Sequence, residues 1–252
     1  KINKINLLLE ELDITELNNL SRLIKPSNFK SFLNNKIIEG KLISEIEIFL
    51  DDEGLFKDFI AKGTVKNLHA EFLNNLNLKK TNLSFFADKN DILIKNIVGN
   101  IEDIKITDGD IKLNLENGLK LNSNFNSNIS LDKTLLTKYE RFYKKNNFLL
   151  QLYSFEADFI NNFYINFDKT YKVIDYNYSI SGNLKKSEFE LSEPIKNEFI
   201  KKEIKKIYLS EVKFQSIFKP QIIKLNGDGE YSFDNLEFLK IIFENNANNN
   251  ET

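Results

Sequence analysis

The chain has 252 residues, 41% hydrophobic and 29% charged, enough to bury one large core or two small ones and too apolar for a disordered segment. Its 35 Lys and Arg face 37 Asp and Glu, and a net charge of -2 lacks the cation excess on which nucleic-acid affinity rests, so no nucleic-acid partner is expected. With no cysteine there is no disulfide, no thiolate chemistry and no cysteine-ligated metal site.

Residues 1–36 read as an N-terminal helical segment. Leu9, Leu12, Ile14, Leu17 and Leu20 recur at roughly helical spacing, and "KPSNFKSFLNN" opens a second short helix after Pro26. After Gly40 the period becomes two, and residues 37–132 read as a first antiparallel meander. Ile46, Ile48 and Leu50 share one face, then Phe59, Ala61 and Val65, then Leu83 and Phe85, then Ile92 and Ile94, then Ile104 and Ile106. Polar turns are expected at "DDEG" (51–54), "DKND" (88–91) and "TDGD" (107–110), and Asn117-Gly118 suits a two-residue type I′ hairpin. The cleanest alternation runs from Leu119 to Leu131, where every even position from Lys120 to Ser130 is polar. At roughly 3.3 Å per residue such a strand spans about 40 Å, so the sheet is long.

Residues 133–147, "KTLLTKYERFYKKNN", return to a helical stripe of Leu135, Leu136, Tyr139, Phe142 and Tyr143. This amphipathic helix is expected to mark the boundary between two meanders. Its aromatics and lysines suit either packing over a sheet end or contact with a membrane surface. Residues 148–243 read as a second meander, interrupted by a basic helix near 195–206, and 244–252 as a disordered tail. A loose internal echo joins "LSFFADKNDILIKNIVGNI" (83–101) to "VKFQSIFKPQIIKLNGDGEY" (212–231), each a strand, a turn and a second strand with glycine.

Catalytic equipment is sparse. His69 is the sole histidine and no G-x-S-x-G elbow accompanies it, so neither a serine relay nor a multi-histidine zinc site is indicated. No glycine-rich phosphate cradle occurs. Asp51-Asp52-Glu53-Gly54 and Asp108-Gly109-Asp110 offer oxygens but lack EF-hand spacing, and turns need these residue types anyway. The expectation is a non-enzymatic protein with no cofactor and no metal. The absence of an initiating Met and of any apolar run near eighteen residues suits a segment of a longer parent whose targeting part lies elsewhere.

A long sheet with one apolar face must hide that face, by folding onto a second sheet as a sandwich, by closing as a barrel, or by curling into a groove covered by a ligand. The stretch "LIKPSNFKSFLNNKIIEGKLISEIEIFLDDEGLFKDFIAKGTVKNLHAEF", with "LSFFADKNDILIKNIVGNIEDIKITDGDIKLNLENG" after it, resembles the AsmA-like superfamily, and within it the YhdP branch. The shared features are a short helix, "G-x-L" opening a strand, and a strand ending "F-x-A-x-G-x-V-x-N-L".

The resemblance implies a β-rich α+β fold, a long twisted antiparallel meander curled into an apolar groove. It also implies a periplasmic place in a parent anchored in the inner membrane of a Gram-negative bacterium, with further repeats of that parent as neighbours. The implied partners are phospholipid acyl chains moving between inner and outer membrane. The alternation nominates as lipid-facing candidates Ile46, Ile48, Phe59, Leu83, Phe85, Ile92, Ile94, Leu113, Leu115, Leu121, Phe125 and Ile129. The alternative is a closed β-sandwich serving as a structural or protein-interaction module, with those side chains sealed in its core.

Overall fold

The computed structural model describes residues 2–16, 36–73, 76–116, 118–143, 150–170, 172–196 and 203–248. Twelve strands form one antiparallel sheet in which every strand pairs with its neighbours in sequence. They are β1 (Lys4–Asp13), β2 (Ile37–Leu50), β3 (Phe56–Leu73), β4 (Leu76–Asp88), β5 (Asp91–Ile101) and β6 (Ile104–Asn114). There follow β7 (Leu119–Leu131), the helix α1 (Lys133–Tyr143), β8 (Leu150–Phe167), β9 (Val173–Ile195), β10 (Ile204–Lys219), β11 (Ile222–Phe233) and β12 (Leu239–Asn248). The expected β-rich meander is therefore present. β1 and β12 are the two ends of a single strand order and do not pair with each other among the described residues, so the sheet is open.

Several boundaries differ from the sequence reading. Residues 4–13 form an edge strand, not a helix, because Ile5, Leu7 and Leu9 alternate opposite Ile48, Ile46 and Ser44 of β2. Only Ile14–Glu16 turns helical, as one 3-10 turn, and the helix expected after Pro26 lies outside the described residues. "TDGD" lies inside β6, and of the turn expected at Asn117-Gly118, between the end of β6 and the start of β7, residue 117 lies outside the described residues. The basic helix is replaced at both ends by strand, since Ile195 closes β9 and Ile204 opens β10 opposite it, while 197–202 lie outside the described residues. Residues 244–248, expected as tail, belong to β12. The two echoing segments each form a hairpin with a two-residue turn, β4–β5 and β10–β11.

Two compact units divide the chain, Lys1–Phe125 with Phe163–Tyr176, and Asn126–Asn162 with Asn177–Thr252. The division passes through β7, β8 and β9 and not through α1, the boundary expected from sequence. In the first unit Ile14, Leu42, Val65, Leu68 and Ala70 are buried together, with Leu9, Ile37, Leu83 and Phe85 against them. The second is built on Ala157, Phe159, Leu184 and Val212, flanked by Ile129, Phe155, Leu209, Phe214 and Phe243. Asp132 caps α1 by accepting the Leu135 amide at 2.9 Å, and Leu136 of that helix is 3% exposed.

In the second unit a cross-strand row alternates phenylalanine and glycine. Phe214 of β10 stands opposite both Gly182 of β9 and Gly227 of β11, and Gly227 stands opposite Phe243 of β12. A Cβ at Gly227 would lie 2.6 Å from the Phe243 ring, and one at Gly182 would lie 2.9 Å from the Phe159 ring. The bare backbone lets Phe159 and Phe214 meet edge-on at 4.9 Å.

The turns are built by aspartates at strand ends. Asp51 Oδ1 accepts the amides of Glu53 and Leu55, Asp88 Oδ1 those of Asn90 and Asp91, and Asp168 Oδ1 those of Thr170 and Lys172. Each carboxylate thus supplies the partners that the reversing chain loses. The expected turns at "DDEG" and "DKND" are therefore formed by side-chain capture.

Candidate functional site

Register decides which side chains share a face. In the first unit Leu7, Ile46, Ala61, Ala87, Ile92 and Leu113 stand opposite one another in turn, so that one apolar row crosses β1 to β6. A second row runs Leu9, Ser44, Gly63, Phe85, Ile94 and Ile111. Ile48 and Phe59 extend the face toward the β2–β3 turn, where Phe56 is 60% exposed. Side chains two apart on a strand point the same way, so Leu83, Phe85 and Ala87 continue the face that Leu42 and Val65 bury.

Bulges keep this face apolar where the alternation of the sequence breaks. Asn67, Lys80 and Asn96 adopt left-handed backbone (φ 51, 50 and 55) in β3, β4 and β5, and the register slips beside Asn67 and Lys80. Each bulge swaps odd for even positions, so Ile92 and Ile94 are followed on the same face by Ile97, which a Cβ at Gly109 would meet along with Phe125. The exposed amides are bonded by the neighbouring strand, Asn67 N to Asn82 Oδ1 at 3.0 Å and Asn96 N to Asp110 Oδ1 at 3.2 Å.

The opposite face mixes charged pairs with apolar side chains. Glu45 meets Lys62 at 2.8 Å, Lys4 meets Glu47 at 2.7 Å and Lys95 meets Asp110 at 2.6 Å. The hydrogen bond that Lys62 donates to Glu45 raises Lys62 above the usual lysine value, and the one that Lys95 donates to Asp110 chiefly holds Asp110 below the usual aspartate value. Solvated pairs of this kind contribute little stability and keep their face in water. The same face also carries exposed apolar side chains, since the row Leu8, Glu45, Lys62, Phe86, Leu93 and Lys112 crosses β1 to β6 with Leu8 and Phe86 open to solvent.

Of the twelve candidates, eleven lie in the first unit, and Ile129 instead packs against the core of the second. Ile46, Ile48, Phe59, Leu83, Phe85, Ile92, Ile94 and Leu113 occupy the face just described, each half-buried. On β7, Leu121 and Phe125 share one parity, and Phe125 stacks on Phe163 of β8 at 5.9 Å. Leu115 lies beyond the end of β6 and is exposed. Leu7, which is 43% exposed, was missed because its segment read as helix; the Ile5-Leu7-Leu9 alternation was the available signal.

Other chemistry has little support in the geometry. His69 Nδ1 is 4.0 Å from Glu39 Oε1. Asp51 is engaged by its own turn and Asp110 by Lys95 and Asn96, and among the described residues no three potential ligands cluster as a metal site would require. A concavity of about 790 Å³ lies on β10–β12, lined by Glu211, Lys213, Asp228, Glu230 and Lys240 among others, and contains none of the twelve candidates. Among the described residues no helix is long and apolar enough to cross a membrane.

No family model matches this chain. No curated protein and no solved structure matches it either. The AsmA-like resemblance therefore rests on the quoted residues alone, and the chemistry of the sheet face has to carry the functional argument.

Proposed function

We propose that the apolar face of the first unit binds lipid acyl chains and that this binding, not catalysis, is what the chain does. The observation that carries the reading is the row Leu7, Ile46, Ala61, Ala87, Ile92 and Leu113, apolar at every position across six strands and half-buried or exposed throughout, whereas the matching row of the opposite face, Leu8, Glu45, Lys62, Phe86, Leu93 and Lys112, mixes apolar with charged side chains. At about 4.8 Å between strands the row is about 24 Å long, more than the roughly 15 Å that an acyl tail spans in one leaflet. Each methylene covered there contributes about 0.8 kcal/mol of transfer free energy. Ala61 and Ala87 keep the middle of the row low, which leaves room for a chain to lie across the strands.

With the AsmA-like resemblance, the proposal extends to a periplasmic setting, to phospholipid passing between the two membranes of the envelope, and to an inner-membrane-anchored parent with further repeats. That extension is supported by the quoted residues, and the acyl-binding face stands without it.

The test is uptake of a fluorescent phospholipid from vesicles by the purified chain. Ile92→Asp and Ile46→Asp place a carboxylate in the row and are expected to reduce uptake at least tenfold, with the far-ultraviolet circular dichroism of the sheet retained. Unchanged uptake by folded variants would sink the reading.

A further inference from the structure

The strand order ends at β12, whose outer backbone edge has no partner strand among the described residues. Of the devices that blunt such an edge it carries charged side chains, Lys240 and Glu244, but neither a bulge nor a proline. β12 pairs with β11 through consecutive partners from Tyr231↔Leu239 to Ile222↔Asn248 without a register shift, and it contains no proline. Ile242, flanked on its own face by Lys240 and Glu244, is 85% exposed. At the other end of the order β1 is broken by a bulge between Leu9 and Leu12, with Glu11 at φ 29.

We propose that β12 is a self-association edge, pairing antiparallel with β12 of a second copy of this chain about a two-fold axis at Ile242. The sequence of the strand is self-complementary in that register. Ile242 lies opposite Ile242, Lys240 opposite Glu244 and Glu244 opposite Lys240 on one face, and Ile241 opposite Phe243 on the other. Side chains directly opposite in an antiparallel pair stand about 5 Å apart at Cβ, so both charge pairs form and the exposed isoleucines cover each other. Because the contact is the same patch on both copies, it closes at two and does not propagate into a fibre.

Sedimentation equilibrium of the 252-residue chain at neutral pH is the first test, and the expected mass is twice the 29.5 kDa of one chain. Ile242→Lys, at a site already open to solvent, should leave a monomer with an unchanged circular dichroism spectrum. Lys240→Glu should weaken the dimer at least tenfold, and Lys240→Glu combined with Glu244→Lys should restore it. Since the chain has no cysteine, Ile242→Cys supplies a single thiol, and mild oxidation should give a covalent dimer. A mass of 29.5 kDa at every concentration, open-ended polymers, a dimer that survives Ile242→Lys, or failure of the paired charge swap would each overturn the proposal.

Discussion

Gly182 has only hydrogen where other residues carry a β-carbon, and Phe159 lies in the space this leaves. An added Cβ would fall 2.1 Å from the Asp158 carbonyl oxygen, a backbone atom that cannot rotate away. Gly182→Ala is therefore expected to cost about 1–3 kcal/mol by urea denaturation, the usual range for overpacking a close contact. Phe159→Ala, at a ring 7% exposed, should cost about 3–5 kcal/mol through the cavity it leaves. A Gly182→Ala variant as stable as the parent would show that the aromatic-glycine row is incidental. Glu102 is one of the first unit's carboxylates whose titration is shifted by its partners. Burial raises its pKa, but the hydrogen bonds from Lys79 and from the Asn77 side chain and amide together prevail and hold it below the ordinary 4.5. Its contribution is thus complete above pH 4.5 and is lost as pH falls through the lower folded value. Glu102→Gln should flatten that part of the stability-pH curve while leaving the parent slope from other carboxylates, and an unchanged acid limb would contradict the assignment.

At the scale of elements, the strand ends depend on single carboxylates. Asp88→Ala removes the acceptor of two turn amides, each 2.8 Å away, and should cost the β4–β5 hairpin about 1–2 kcal/mol, read as faster amide exchange at Asn90 and Asp91. Exchange at the parent rate would mean that water replaces the carboxylate without loss. The elements that were legible in the sequence were those whose pattern was unbroken. β7 runs from Leu119 to Leu131, the limits its alternation implies, because every even position from Lys120 to Ser130 is polar. β1 was not legible for a physical reason. Leu7, Leu8 and Leu9 are apolar on both faces of an edge strand, and the bulge at Glu11 shifts the next apolar residue to Leu12, which mimics a helical interval. "TDGD" looks like a turn by composition, yet Gly109 is glycine because Phe125 and Ile97 crowd its α-carbon from one side. Bulges also hide part of the apolar surface, since Ile97 follows Ile94 on that face only after the left-handed Asn96 resets the parity.

For the whole molecule, twelve strands follow one another in a single order, and the apolar face of the first unit is partly buried in that unit's own core, where Leu9, Leu83 and Phe85 pack against Leu42 and Val65. Eight of the nominated residues lie together there by register, and Ile129 serves the other unit's core. The sequential order of the strands was legible as a meander, but the residue-by-residue register that brings these side chains into rows comes only from the pairing of β1 to β6. The most direct measurement is native mass spectrometry of the purified 252-residue chain, with organic extraction of whatever travels with it. Phospholipid is expected to be bound in near-stoichiometric amounts and to be lost from the Ile92→Asp variant. A clean apo mass, together with no uptake of added fluorescent phospholipid, would contradict it and leave the apolar face with a structural role.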